Sequence, residues 1–339
     1  MNDIKLPGLR QAVNGDDMRI TLSTVLRRDL ERDQPDLSGV RLHVLKHTRG
    51  KRCVIEYWLK MDENHLHDQR VIGKLYRKNR GEKIHENLRN MWNVRHRKNG
   101  HDAYFGMPEP LAYLPELGMT LQSVVPGRQL SSLSDQGDLL PALRLAAANL
   151  AIMHGMAVPS LETRTMDDHL NKYCHPSPEE LMAACPELAP LVEGILEGIR
   201  SDESLLDAPL CTVHGDLGLN QIFVTPEHAY FIDFDGSCIS HPALDLANFL
   251  VALQVHFGTL SRVLMSAFME SYLAIQSPRM FTGLRTYQAF TYLRRATICF
   301  RGKEVAGWRE HVRSLLKTGY ALLIESERRV HSDELLVQV

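Results

Sequence analysis

The chain has 339 residues, enough for two lobes each with a core of its own. A hydrophobic share of 44% and a charged share of 24% belong to a globular protein, and 39 Lys+Arg against 41 Asp+Glu exclude a global drive towards nucleic acid or an anionic membrane. No apolar run approaches the ~20 residues that span a bilayer, Met1–Pro7 lacks a signal peptide's apolar core, and six dispersed cysteines form no Cys-x-x-Cys pair, so a cytoplasmic protein without structural zinc is expected.

Residues 16–33 carry Met18, Ile20, Leu22, Val25, Leu26 and Leu30 at helical spacing. Val40–Leu45 and Cys53–Leu59 alternate apolar and polar residues on either side of a turn holding Arg49, Gly50, Lys51 and Arg52, which predicts an antiparallel hairpin. That basic turn can offer backbone amides and positive charge to an anion, or stand as a solvated turn. His65 and His67 fall in the loop 61–69 and read as solvated rather than as a chelate.

Arg70–Tyr76 predicts a third strand, and Lys74 inside it needs a partner because burying an unpaired ammonium is costly. A helix over 81–92 buries Ile84, Leu88 and Met91. Glu82 and Glu86 both point away from the middle of that face, and the run Arg95–Lys98 suits a helix C-terminus. Pro108–Leu114 and Met119–Val125 predict two more strands, broken off by Pro126 and Gly127.

Beyond this point the pattern becomes helical. A helix over 138–154 ends at His154 and Gly155, a Pro-bearing irregular stretch covers 156–178, and helices follow over 178–184 and 188–200. Ile222–Val224 and Tyr230–Ile232 flank the turn-like Thr225–His228, a second hairpin. Gly236–Pro242 reads as a loop, Ala243–Val255 as an apolar helix, and further helices lie near 259–275, 284–300 and 308–325.

The chemistry-bearing stretch is His214-Gly215-Asp216-Leu217 with Gln221 four residues on, then Ile232-Asp233-Phe234-Asp235, then His241-Pro-Ala-Leu-Asp245. Hard cations take oxygen ligands and share them with substrate phosphates, and phosphoryl transfer needs in addition a carboxylate that orients the attacking hydroxyl. Asp216, Gln221 and Asp233 have the types for those tasks. The two-part motif resembles the aminoglycoside phosphotransferase and choline kinase group of small-molecule kinases.

The resemblance covers most of the chain, strongest at 211–250 and weaker at 40–76. It implies an α+β, protein-kinase-like bilobal fold. Residues 1–125 would form a small antiparallel-sheet lobe that binds nucleotide, and 126–339 a helical lobe with the catalytic loop and acceptor site.

In roles, the resemblance makes Asp216 the catalytic base, with His214 bracing its loop. Asp233 becomes the chief Mg²⁺ ligand and Gln221 the second, where most of the group carries Asn; Asn220 is the other candidate there. It puts Lys74 on the α/β-phosphates of ATP or GTP, the Gly50–Arg52 turn over the phosphates, and the backbone from Ser123 to Val125 at the adenine edge. Either Glu82 or Glu86, or neither, would brace Lys74. Asp245 is structural, and Asp167 and Asp168 are either acceptor contacts or loop charges.

The expected activity is transfer of a γ-phosphate to a hydroxyl of a small molecule such as an antibiotic, a sugar or a related metabolite. No nucleic-acid or membrane partner is expected, and the chain is a monomer or homodimer. The second-lobe helices carry about as many Arg as acids, which favours a neutral or anionic acceptor over a polycation. The competing reading is a catalytically silent kinase-like binding domain. A protein kinase is disfavoured because the chain has neither Gly-x-Gly-x-x-Gly nor Asp-Phe-Gly followed by Ala-Pro-Glu, and the absence of a Walker motif argues against a P-loop enzyme.

Overall fold

Apolar alternation along the early strands builds the sheet, and longer apolar stripes build the helices that follow. The computed structural model describes residues 3–29, 37–60, 69–77, 80–95, 104–302 and 306–336. In chain order it has α1 (Leu9–Ala12), α2 (Gly15–Asp29), β1 (Gly39–Thr48), β2 (Arg52–Lys60), β3 (Gln69–Tyr76), α3 (Arg80–Val94), β4 (Pro110–Leu114), β5 (Met119–Ser123) and β6 (Arg128–Gln129). There follow α4 (Gln136–His154), α5 (Met166–Tyr173), α6 (Pro178–Ala184), α7 (Ala189–Arg200), β7 (Cys211–Val213), β8 (Ile222–Val224), β9 (Ala229–Phe231), β10 (Cys238–Ser240), α8 (Ala243–Phe257), α9 (Ser261–Leu273), α10 (Leu284–Arg301) and α11 (Trp308–Leu336). His65, His67 and residues 96–98 lie outside the described residues.

The chain divides into two compact units. The first comprises residues 1–128, 158–160 and 223–235, and the second 129–157, 161–222 and 236–339.

In the first unit the five antiparallel strands run in the order β1-β2-β3-β5-β4. Strand neighbours face opposite sides, so Cys53, Ile55, Tyr57 and Leu59 of β2 all enter the core beside Val71 and Leu75 of β3 and Met119 and Leu121 of β5. Leu9, Ala12, Met18 and Leu22 cover that face, and the buried Tyr57 hydroxyl donates to the Ala12 carbonyl at 2.7 Å. Lys74 lies between Leu75 and Gly73 and pairs in register with Val54 and Thr120, so it projects from the face opposite this core.

The hairpin β8–β9 delivers residues 223–235 to the same unit. Phe105 meets Phe231 and Phe234 edge-on, with ring centres 5.9 and 6.0 Å apart, and the Phe231 amide donates to the Gly106 carbonyl. Position 106 must be Gly, because a Cβ there would come within 2.0 Å of the Ala229 carbonyl oxygen. The packing anchors the chain just ahead of Asp233.

The second unit is helical, with α10 packed against α11, α8 and α7 and a two-stranded pair β7–β10 beside them. Two expectations for this unit are corrected. The stretch 156–178 is not wholly irregular: Thr165 and Asp168 form a reciprocal capping box that starts α5. The supposed loop 236–242 contains β10, whose Cys238–Ser240 pairs with Cys211–Val213. Ala243–Leu273 is apolar and long enough by composition to cross a membrane, but it breaks at Gly258 into α8 and α9, and 56% of its most apolar 18-residue window is buried in the fold.

His169 of α5 is fully buried, with Nε2 against the Ser240 hydroxyl at 2.9 Å and its ring stacked on Tyr173. Burial, reinforced by the charges of Arg164 and Lys172, lowers its pKa from 6.5 to about 4. The unfolded chain therefore takes up a proton near pH 6.5 that the folded chain refuses until about pH 4. This contribution to stability is complete above pH 6.5 and is lost as pH falls through that window; at pH 5 the loss amounts to about 2 kcal/mol. Urea midpoints at pH 7 and pH 5 should show it, and His169→Gln should remove that part of the drop. An identical drop in the variant refutes the assignment.

Candidate functional site

In the first unit, charge gathers around the end of β9. Arg52 Nη1 donates to Asp233 Oδ1 at 3.1 Å and to Asp235 Oδ2 at 2.8 Å, and Nη2 reaches Asp233 Oδ2 at 3.3 Å. Lys74 Nζ donates to Asp233 Oδ1 at 3.0 Å and lies 3.6 Å from Asp235 Oδ1. The Tyr76 hydroxyl donates to Asp235 Oδ1 at 2.8 Å. Two cations thus face two carboxylates.

Lys74 is only 7% exposed. Burial opposes its charge, yet the Asp235 and Asp233 carboxylates outweigh that cost and its pKa stands raised. The Tyr76 phenol is pushed up by burial and then by Asp235, so it remains a donor. Asp233 adopts φ 70°, a left-handed backbone that Asp tolerates better than most residues but that still stores strain. That turn aims its carboxylate at Arg52 and Lys74.

In the second unit the loop after β7 is held from behind. The fully buried Asp245 carboxylate accepts from the His214 amide at 2.6 Å and the Gly215 amide at 2.8 Å. His154 Nε2 lies 3.3 Å from Asp245, and its Nδ1 is 2.7 Å from the Tyr272 hydroxyl. His154 thus bridges the Asp245 carboxylate and the Tyr272 hydroxyl. Gly215 has φ 81°, and a Cβ there would meet the Gly236 carbonyl oxygen at 2.5 Å. The tight turn presents Asp216 outward, 44% exposed, where Arg294 Nη2 of α10 donates to Asp216 Oδ1 at 2.6 Å. The Arg294 guanidinium also lies over the Tyr173 ring, 4.7 Å from its centre.

Further along the loop, Leu219–Gln221 is a 3₁₀ turn, and the strand begins only at Ile222. The face alternation expected to separate Asn220 from Gln221 therefore does not apply. The two still differ, since Asn220 is exposed with its carbonyl bonded to Gln129 Nε2, whereas Gln221 is half-buried.

The residues singled out in the sequence fare unequally. Lys74, Arg52 and Asp233 come together; His214, Asp216 and Gln221 share one loop. Gly50 does occupy the β1–β2 turn, but its amide is taken by Asp3 Oδ2 at 2.7 Å. Ser123 ends β5 and exchanges hydrogen bonds with Glu109, and Val125 follows it, half-buried.

Among the described residues Lys74 pairs with neither Glu82 nor Glu86, and both glutamates are exposed. Asp168 is spent on capping α5. Tyr76 and the Arg294 partnership were not anticipated. A Tyr ending an apolar strand reads as core, and Arg294 stands 78 residues from Asp216.

Residues 64–283, more than half of the chain, match the model of the phosphotransferase enzyme family (APH). The chain belongs to this family. Solved structures agree on the fold. A choline/ethanolamine kinase family protein from Mesorhizobium loti is 14% identical with a TM-score of 0.57, over 91% of this chain and 94% of that one. Choline kinase from Cryptosporidium parvum Iowa II is 13% identical with a TM-score of 0.59, over 94% and 97%. A thermostable mutant of aminoglycoside phosphotransferase APH(4)-Ia, in ternary complex with AMP-PNP and hygromycin B, is 12% identical with a TM-score of 0.58, over 89% and 98%. No curated protein sequence matches the chain. The α+β architecture of this APH-family phosphotransferase, an N-terminal five-strand antiparallel sheet followed by a helical part, is that of the family.

Proposed function

We propose that the protein is a small-molecule kinase that transfers the γ-phosphate of ATP, or of GTP, to a hydroxyl group. The observation that carries the reading is the buried Lys74 ammonium held against Asp233 at 3.0 Å, with Asp233 fixed in a left-handed turn. A buried ammonium between carboxylates is a charge held ready for phosphate oxygens. The neighbour solved with AMP-PNP and hygromycin B supports a nucleotide and a small-molecule acceptor.

The Asp233 carboxylate and the carbonyl oxygen of the Gln221 amide are the kind of donors a hard cation takes, and these two residues are assigned to Mg²⁺. The bound ion would offset charge on the β- and γ-phosphate oxygens. Lys74 binds the α/β-phosphates, and Arg52 fixes the Asp233 and Asp235 carboxylates. Asp216 accepts the proton of the acceptor hydroxyl, while Arg294 keeps its carboxylate oriented.

Calorimetric titration with Mg²⁺·ATP tests this. Micromolar-range binding that requires Mg²⁺ and weakens at least about tenfold in Asp233→Asn is expected, a loss of about 1.4 kcal/mol. Absence of binding by the unaltered protein overturns the reading. It would favour a catalytically silent binding domain, a reading supported by Gln221 where most of the group carries Asn and by the lack of a Glu82 or Glu86 partner for Lys74.

A further inference from the structure

Arg294 and Arg295 are consecutive on α10, and they meet different surroundings. Arg294 is engaged with Asp216 and Tyr173, although its Nε is buried without a hydrogen-bond partner. Arg295 lines a pocket of about 280 Å³ together with Ser131, Gly218, Asn220, Gln221 and His256. The pocket's loop wall, Gly218–Gln221, begins two residues after Asp216. Its other walls are Leu219 and, from α8, Ala252 and Val255, so no carboxylate lines it.

The half-buried guanidinium of Arg295 makes no ion pair among the described residues. Burial lowers its pKa, Tyr292 partly offsets this, and Arg294 beside it adds to the lowering. Burying an uncompensated cation is costly and persists only where something repays it. A guanidinium fork matches a carboxylate or phosphate through two parallel hydrogen bonds. The remaining polar walls are the Ser131 hydroxyl, the Asn220 amide and the His256 imidazole, which suit the hydroxyl groups of a small polyol, while Gln221, already assigned to Mg²⁺, borders the pocket. A cationic ligand would meet Arg295 with no opposing charge.

We propose that this pocket is the acceptor subsite for an anionic group, a carboxylate or phosphate ester carried by a small hydroxylated molecule, with Arg295 as its counterion. The proposal rests on the phosphotransferase reading and narrows it, since the anchored anion would leave a hydroxyl of the same molecule at the Asp216 end of the loop. Arg295 here is a binding residue that selects acceptors by charge.

The test compares matched probes by calorimetry on the full chain: gluconate against glucitol, glycerol 3-phosphate against glycerol, and choline as a cation. Each is titrated into protein saturated with Mg²⁺·ADP. At least one anion should bind tenfold or more tightly than its neutral counterpart, and Arg295→Met should erase that preference while leaving Mg²⁺·ADP affinity within twofold. Arg295→Lys, which keeps the charge but loses the fork, should fall between. Equal binding of anions and their neutral counterparts overturns the proposal, as does tighter binding of choline or an anion preference untouched by Arg295→Met. The two readings fail separately: if the unaltered protein does not bind Mg²⁺·ADP, the probes are titrated into the protein alone, and an anion preference there that Arg295→Met erases strikes the phosphotransferase reading and leaves the anion site standing.

Discussion

Asp216→Asn is expected to reduce phosphate transfer by about 10²–10⁴-fold, the usual contribution of a placed general base, while Mg²⁺·ATP affinity stays within about twofold. Two features of Asp216 set this expectation. Its carboxylate is 44% exposed, so a substrate hydroxyl can reach it, and Arg294 Nη2 fixes it at 2.6 Å. An amide of the same size keeps the shape of the loop and can still turn its carbonyl oxygen to the Arg294 donor, but it cannot take a proton.

The loss should appear in kcat, with KM for the nucleotide little changed, because the missing interaction matters only once the proton moves. Arg294→Met should lower kcat less. Combined with Asp216→Asn it should add almost nothing, since two residues acting through one contact are not additive. ADP release in a coupled assay, with water or a hydroxylated acceptor, reads all three variants. Unreduced turnover in Asp216→Asn removes Asp216 from the role of base.

How far this site could be read from sequence depends on how local each feature is. The alternation of Cys53, Ile55, Tyr57 and Leu59 marks β2 without any knowledge of its partners, and a Lys in the strand beside it raises the question of a counterion by itself. The answer is non-local: Asp233 and Asp235 stand 159 and 161 positions on from Lys74, and nothing in the sequence pairs either of them with it.

β10 was missed because three residues carry no usable period and its partner β7 lies more than twenty positions earlier. α5 has a signal that was there to use, the Thr165-x-x-Asp168 capping box, which also explains why Asp168 is not free to meet a ligand. The pairing of Arg294 with Asp216 has no sequence signature, because it depends on how α10 packs against the loop. The left-handed backbone of Asp233 has none either, since it is imposed by the turn after β9 rather than by a glycine.

Asp245→Ala should be the most damaging single change to the architecture of the second unit. Asp245 is wholly buried at the start of α8, where the helix dipole favours its charge, and its two oxygens accept from His214 and Gly215 and face His154. Alanine leaves the two buried amides without their acceptor and removes the partner of His154 Nε2. At about 1–3 kcal/mol for each of the three orphaned groups, the cost comes to roughly 3–9 kcal/mol, a large part of the stability of an ordinary domain.

Asp245→Asn should cost less, because it keeps the volume and one acceptor oxygen while turning an NH₂ towards one of the donors. Function should follow structure: without the Asp245 carboxylate to accept from the His214 and Gly215 amides, the turn would hold Asp216 against Arg294 less firmly. Urea denaturation followed by far-UV circular dichroism gives the stability loss. Activity measured where Asp245→Asn is still folded separates it from loss of catalysis. A midpoint for Asp245→Ala equal to that of the unaltered protein, with turnover preserved, would mean that the loop carrying Asp216 is held by something other than this carboxylate.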